Sequence, residues 1–114
     1  MHEELCFLSA TEMARAVREK SVSAVELTGA VLSRIERLNP QLNAYCTLMA
    51  DSAREAAVEA DVQLARGEQP GPLHGVPISI KDNLYVRNCR TAFGSKLHEH
   101  DITGEDAPIT ERLK

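Results

Sequence analysis

The run from Gly71 to Asn83, Gly-Pro-Leu-His-Gly-Val-Pro-Ile-Ser-Ile-Lys-Asp-Asn, constrains the architecture more than any other stretch of the 114-residue chain. Pro72 and Pro77 fix φ and restrict the residues before them, while Gly71 and Gly75 permit sharp approaches. The expected result is a turn that delivers a short β-branched strand, Val76 to Lys81. Period-2 alternation then places Ile78 and Ile80 on one face and Ser79 and Lys81 on the other. If the Lys81 face is also covered, the ammonium is desolvated and the neutral amine, a proton acceptor, is favoured. If it is open, Lys81 is simply a strand end that reaches into solvent.

Upstream the pattern is helical. Ser9-Ala10-Thr11-Glu12 has capping-box spacing, and Ala10, Met13, Ala14 and Val17 recur at helical intervals up to about Glu19. Ser23-Ala24-Val25-Glu26 repeats the box, and Leu27, Val31, Ile35 and Leu38 trace one face until Asn39-Pro40, which is expected to stop the second helix. Leu42 to Leu48, with Tyr45, Cys46 and Thr47, reads as a short strand. A third helix runs from Asp51 to Arg66 on a narrow stripe of Ala53, Ala56, Ala57, Ala60 and Leu64, with Gly67 as its stop. Leu84-Tyr85-Val86 and Thr91-Ala92-Phe93 fit short strands or extended loop, and Asp106, as N-cap before Pro108, opens a last helix. Helices followed by strands around Lys81 give an α/β class with a sheet too incomplete for its topology to be assigned.

Composition excludes several functions. A net charge of −4 and a sequence pI near 5.5, with Lys and Arg scattered, leave no basic patch for nucleic acid. Neither glycine pattern of the phosphate-binding loops occurs, so no nucleotide site is expected. Cys6, Cys46 and Cys89 are odd in number and widely spaced, which reads as free thiols in a reducing compartment. The start, Met1-His2-Glu3-Glu4-Leu5, is acidic and resembles neither a secretion signal nor a membrane span, so a cytoplasmic location is expected. His98-Glu99-His100-Asp101 has metal-ligand chemistry but no further fixed ligand nearby, and is read as a solvated loop. His74 precedes Lys81 by roughly 20 Å of extended chain, which favours a loop role over a catalytic pair. Hydrophobic residues make up 43% but aromatics only 4%, so the core should be aliphatic and rich in alanine.

The wording around Lys81 has a family resemblance. Leu73-His74-Gly75-Val76-Pro77-Ile78-Ser79-Ile80-Lys81-Asp82-Asn83, then Arg90-Thr91-Ala92-Phe93-Gly94-Ser95, then Asp106 to Lys114, resembles the amidase signature family in motif and order. The segment Ser23 to Pro40 with Leu42-Asn43-Ala44-Tyr45 resembles the helix and strand that open such enzymes. The resemblance implies N-terminal helices followed by the first strands of a mixed-sheet core, here 1–66 mainly helical and 67–114 the start of the catalytic core within one domain. It also implies hydrolysis of a carboxamide by a serine, a second serine held across a cis peptide bond, and a lysine base that maps onto Lys81. Asp82 and Asn83 would then orient the end of the lysine strand, although an Asp-Asn turn is ordinary in its own right. An Asp82 paired directly with Lys81 would keep the lysine charged and oppose base chemistry.

The departure from the family pattern concerns the serines. Ser9, Ser21, Ser23, Ser33, Ser52, Ser79 and Ser95 include none in a Gly-Gly-Ser-Ser-Gly-Gly type of run, and Ser95, behind a single Gly94, reads as a loop residue. The expectation is an N-terminal portion of a longer amidase, cut inside the helix begun at Asp106. Its substrate would be a small-molecule amide, with no cofactor and no metal. Two other readings stand beside this one: a non-catalytic helical segment for packing or homodimer formation, and the amidase component of a tRNA-dependent amidotransferase.

Overall fold

A computed structural model describes residues 2–114. A 3₁₀ helix at Glu3–Phe7 precedes α1 (Ala10–Arg18), α2 (Ala24–Leu42) and α3 (Ala50–Ala65); a short 3₁₀ helix at Lys96–His98 and α4 (Pro108–Leu113) follow. The chain divides into two compact units, one comprising the chain up to Tyr45 with Met49–Pro77, the other Cys46–Leu48 with Ile78–Lys114.

In the first unit both capping boxes form. Ser9 accepts from the Glu12 N–H while the Glu12 carboxylate accepts from the Ser9 N–H, and Ser23 and Glu26 repeat the exchange. Glu12 and Glu26 are held below the ordinary glutamate value of 4.5, first by the cap serine's backbone N–H and then by its hydroxyl. A lowered folded-state value means that this contribution is present above about pH 4.5 and fades as pH falls through the folded-state value. Acid titration followed by circular dichroism should therefore show helix loss starting below that point. The double substitution Glu12→Gln, Glu26→Gln, which keeps a capping amide, should flatten this first phase. An unchanged acid limb in the double variant would show that other carboxylates govern it.

The N-terminus of α2 has a second closure from another helix. Asp61 of α3 accepts from the Ala24 N–H at 2.8 Å and from the Val25 N–H at 3.1 Å. With Ser23 N–H on Glu26 and Glu26 N–H on Ser23, the donors that a helix start leaves without intrahelical partners are all satisfied. α3 ends as its sequence implies: Gly67 takes φ 79°, Glu68 N–H donates to Gln63 C=O and Gly67 N–H to Leu64 C=O.

The core of this unit is Val17, Ala24, Leu27, Ala57 and Ala60, with Leu5, Met13, Val22 and Leu64 packed against it. Aliphatic and alanine-rich packing is borne out. The turn before Val76 is seated on this cluster. Gly75 has φ 76°, and a Cβ placed there would lie 2.9 Å from Val17 Cγ1 and 3.0 Å from Ala24 Cβ. His74 Nε2 donates to the Ala60 C=O at 2.8 Å, which fixes the loop role expected of it.

The expectations for the end of α2 and for the strands are corrected. α2 runs through Pro40 to Leu42, because a proline near the end of a helix forfeits one bond and already has helical φ; Asn43, at φ 50°, closes the end by donating to Asn39 C=O. The strand expected over Leu42 to Leu48 does not form. Asn39 engages both backbone groups of Tyr45, at 2.9 and 3.0 Å, which takes its N–H away from any ladder and fills one acceptor position of its C=O. The larger correction concerns the first strands of the α/β class: among the described residues no strand is present, and the architecture is helical with irregular segments. Val76 to Lys81 lacks a ladder because a strand needs a neighbour to receive its N–H and C=O groups, and no such neighbour lies among the described residues.

The second unit is mostly loop. Its buried residues are Val86, Thr91, Ala92 and Thr110, and Arg90 and Ile102 form an isolated antiparallel bridge. α4 begins one residue later than expected, with Ala107 as N-cap and Pro108 in the first turn. Asp106 instead accepts from the Arg87 N–H at 2.7 Å and pairs with Lys114, and these partners, the amide first, hold its carboxyl below the usual range.

Candidate functional site

Lys81 and its two successors form a turn. The Leu84 N–H donates to the Lys81 C=O at 3.0 Å, which places Asp82 and Asn83 at the central positions. Lys81 is exposed, as are Ile78 and Ser79, while Ile80 is half-buried. The expected sorting of two isoleucines to a covered face is thus only half realised, and the described residues do not supply the cover over Lys81 that would desolvate it. Among the described residues no carboxylate pairs with the ammonium.

Asp82 is engaged elsewhere. Its Oδ1 accepts from the Ala92 N–H at 2.9 Å, and its C=O accepts from the Phe93 N–H at 3.0 Å. The carboxylate therefore anchors the turn to a neighbouring segment and leaves Lys81 without a fixed counter-charge. Asn83 is exposed in the turn, and its side chain makes no hydrogen bond among the described residues.

The segment that holds Asp82 is itself under constraint. Ala92 to Ser95 is a tight turn closed by Ser95 N–H to Ala92 C=O at 2.9 Å, with Phe93 at φ 54° and Gly94 at φ 67°. The glycine suits this conformation, whereas a bulky residue there carries about 1–3 kcal/mol of strain. Phe93 is held by the Asp82 C=O and by edge-to-face contacts with Tyr85 and His98, each with centroids 5.8 Å apart. Ser95 caps the 3₁₀ helix Lys96–His98 through its side chain, in keeping with a loop role.

Arg90 is the residue that the sequence did not disclose. Its guanidinium reaches Thr47, Cys46 and Glu99, partners that no local spacing rule connects to it. Beside it, burial raises the pKa of the Cys89 thiol and the Asp82 charge raises it further, so a nucleophilic thiolate is disfavoured at neutral pH. His98 Nδ1 lies 2.6 Å from Asp101 Oδ2 on an exposed loop. No group of three or more ligating side chains converges among the described residues. Nor is any of their helices long and apolar enough to cross a membrane.

Comparison with known proteins agrees with the motifs. The sequence model of the Amidase family matches residues 26–114. The chain is 43% identical over 111 residues to a glutamyl-tRNA(Gln) amidotransferase subunit of Carboxydothermus hydrogenoformans, a match that covers 97% of this chain and 23% of that protein. It is 40% identical over 107 residues to a putative amidase AmiD of Mycobacterium bovis, covering 94% of this chain and 22% of the relative. A solved structure described as "An unexpected vestigial protein complex reveals the evolutionary origins of an s-triazine catabolic enzyme" superposes with a TM-score of 0.88 at 27% identity, over 93% of this chain and 23% of that one. The chain thus spans less than a quarter of the length of these relatives. With the motifs around Lys81 in place and the family's sequence model matched from residue 26 to residue 114, the chain belongs to the amidase signature family.

Proposed function

We propose that this chain is the N-terminal part of a single amidase domain that hydrolyses a carboxamide C–N bond in a small-molecule amide, with Lys81 as the base of a Ser-cisSer-Lys triad. The observation that carries the reading is the match of the family over 26–114, a stretch that includes the Lys81 motif. A lysine that pairs with no carboxylate among the described residues, at the opening of a turn that Asp82 ties to Ala92, is compatible with a proton acceptor. In the intact enzyme neutral Lys81 would take the proton passed through the cis serine as the nucleophilic serine attacks the amide carbonyl. An acyl-enzyme would form, the lysine would return its proton to the leaving amine or ammonia, and water would release the acid. Backbone N–H groups of the glycine- and serine-rich stretch would hold the oxyanion. Asp82 and Asn83 support the turn from its two central positions, and the free thiols of Cys6, Cys46 and Cys89 accord with a cytoplasmic enzyme.

The test is ammonia release from carboxamides by the full-length protein and its Lys81→Ala variant; undiminished turnover in the variant would end the assignment. Residues 1–114 alone are expected to hydrolyse no carboxamide, because the reading puts both serines outside them. Robust turnover by that piece would relocate the nucleophile. A second reading, the amidase component of a tRNA-dependent amidotransferase, is favoured by the 43% identity to a protein of that name. It predicts glutamine hydrolysis that depends on the other components of the complex.

A further inference from the structure

We propose that Arg90 is a positioning residue for Lys81, an inference that rests on the reading of Lys81 as the base. The guanidinium binds acceptors from two separate segments: Nε donates to Thr47 Oγ1 at 3.2 Å, Nη1 to Glu99 C=O at 2.9 Å and Nη2 to Cys46 C=O at 3.4 Å. Only a planar, permanently charged fork with several fixed donors can hold these acceptors at once; a lysine ammonium is a single point on a flexible stem.

The backbone beyond Arg90 carries this anchorage toward the candidate site. Arg90 itself bridges Ile102, and the Thr91 N–H donates to Asp101 C=O at 3.0 Å. The next two N–H groups, of Ala92 and Phe93, turn to Asp82 and take its carboxylate and its carbonyl. Residues 90–93 therefore form a rail, tied by Arg90 to 46–47 and 99 and gripping on its other side the residue next to Lys81. Phe93 adopts its left-handed backbone at the gripping end, a conformation that persists only where the surroundings over-determine it. Phe93 itself is held by the Asp82 C=O, Tyr85 and His98, and Arg90 fixes the start of the segment that presents it. Its action on the chemistry is indirect: without it the rail relaxes, the Asp82 clip loosens, and Lys81 loses its fixed place.

The experiment uses the full-length protein in hydrogen exchange and in steady-state assays with propionamide, benzamide and glutamine as probes. In Arg90→Lys, exchange at the Ala92 and Phe93 amides is expected to quicken about tenfold or more, with α2 and α3 unaffected. For the carboxamide that the wild type hydrolyses, kcat should fall roughly 10- to 100-fold at nearly constant KM, since a displacement of about 1 Å at a reacting group costs up to that factor. Thr47→Val, which removes one acceptor and leaves the charge, should move both readouts in the same direction by less. Exchange at Ala92 and Phe93, or kcat, remaining at the wild-type value in Arg90→Lys overturns the proposal. Retained turnover in Lys81→Ala would instead sink the base reading and the positioning role with it, while the exchange data still decide whether Arg90 holds the rail.

Discussion

Full-length protein carrying Lys81→Ala is expected to lose carboxamide turnover by roughly three orders of magnitude at neutral pH, within the range that one positioned acid–base group contributes. The turn itself should persist in the variant, because Asp82 and not the Lys81 side chain ties it to Ala92 and Phe93, and no carboxylate among the described residues pairs with Lys81. Lys81→Arg is the sharper variant. A guanidinium carries a permanent positive charge and does not release its proton in a protein, so the base is lost while a cation occupies its place. Substantial activity in Lys81→Arg would mean that the site needs only a cation there, and the triad chemistry would have to be withdrawn.

Gly75→Ala is expected to destabilise the protein by about 2–5 kcal/mol. Two costs combine: a left-handed backbone that a Cβ penalises, at about 1–2 kcal/mol, and overpacking of a filled core, at about 1–3 kcal/mol. The first follows from φ 76° and the second from contacts of 2.9 and 3.0 Å to Val17 and Ala24. Neither neighbour can retreat, since both are buried at the junction of α1 and α2. Set against a typical total stability of about 5–15 kcal/mol, this is a large fraction. Urea unfolding of the full-length variant would measure it. Adding Val17→Ala should relieve part of the clash, leaving the double variant less damaged than the two single effects combined. A single-variant cost under about 1 kcal/mol would show that the turn can lift off the helices, against the overpacking expected of a filled core.

The helical half of the molecule was legible because its signals are local. The Ser9/Glu12 and Ser23/Glu26 boxes, the alanine stripe of α3 and the stop at Gly67 each lie within a few residues of what they control. The end of α2 was misjudged because Pro40 outweighed Asn43, whose left-handed backbone and bond to Asn39 decide where the helix stops. The strands failed for a different reason. Alternation in Val76 to Lys81 records how side chains would sort on a sheet, but a ladder needs a partner strand, and none is found among the described residues. The candidate site divides the same way: Lys81 was visible from its motif, whereas Asp82 on Ala92 and Arg90 on Thr47, Cys46 and Glu99 are non-local bonds with no periodic signature.

The carboxylate of Asp61 on the first amides of α2 bears on how the first unit is made. Those donors have no partner within their own helix, and α3 supplies one across a gap of more than thirty residues in the chain. The start of α2 is consequently steadied by α3 as well as by its own capping box. The opening of α2 thus draws part of its support from a residue nearly forty positions downstream, and its first two amides face water until Asp61 has been made.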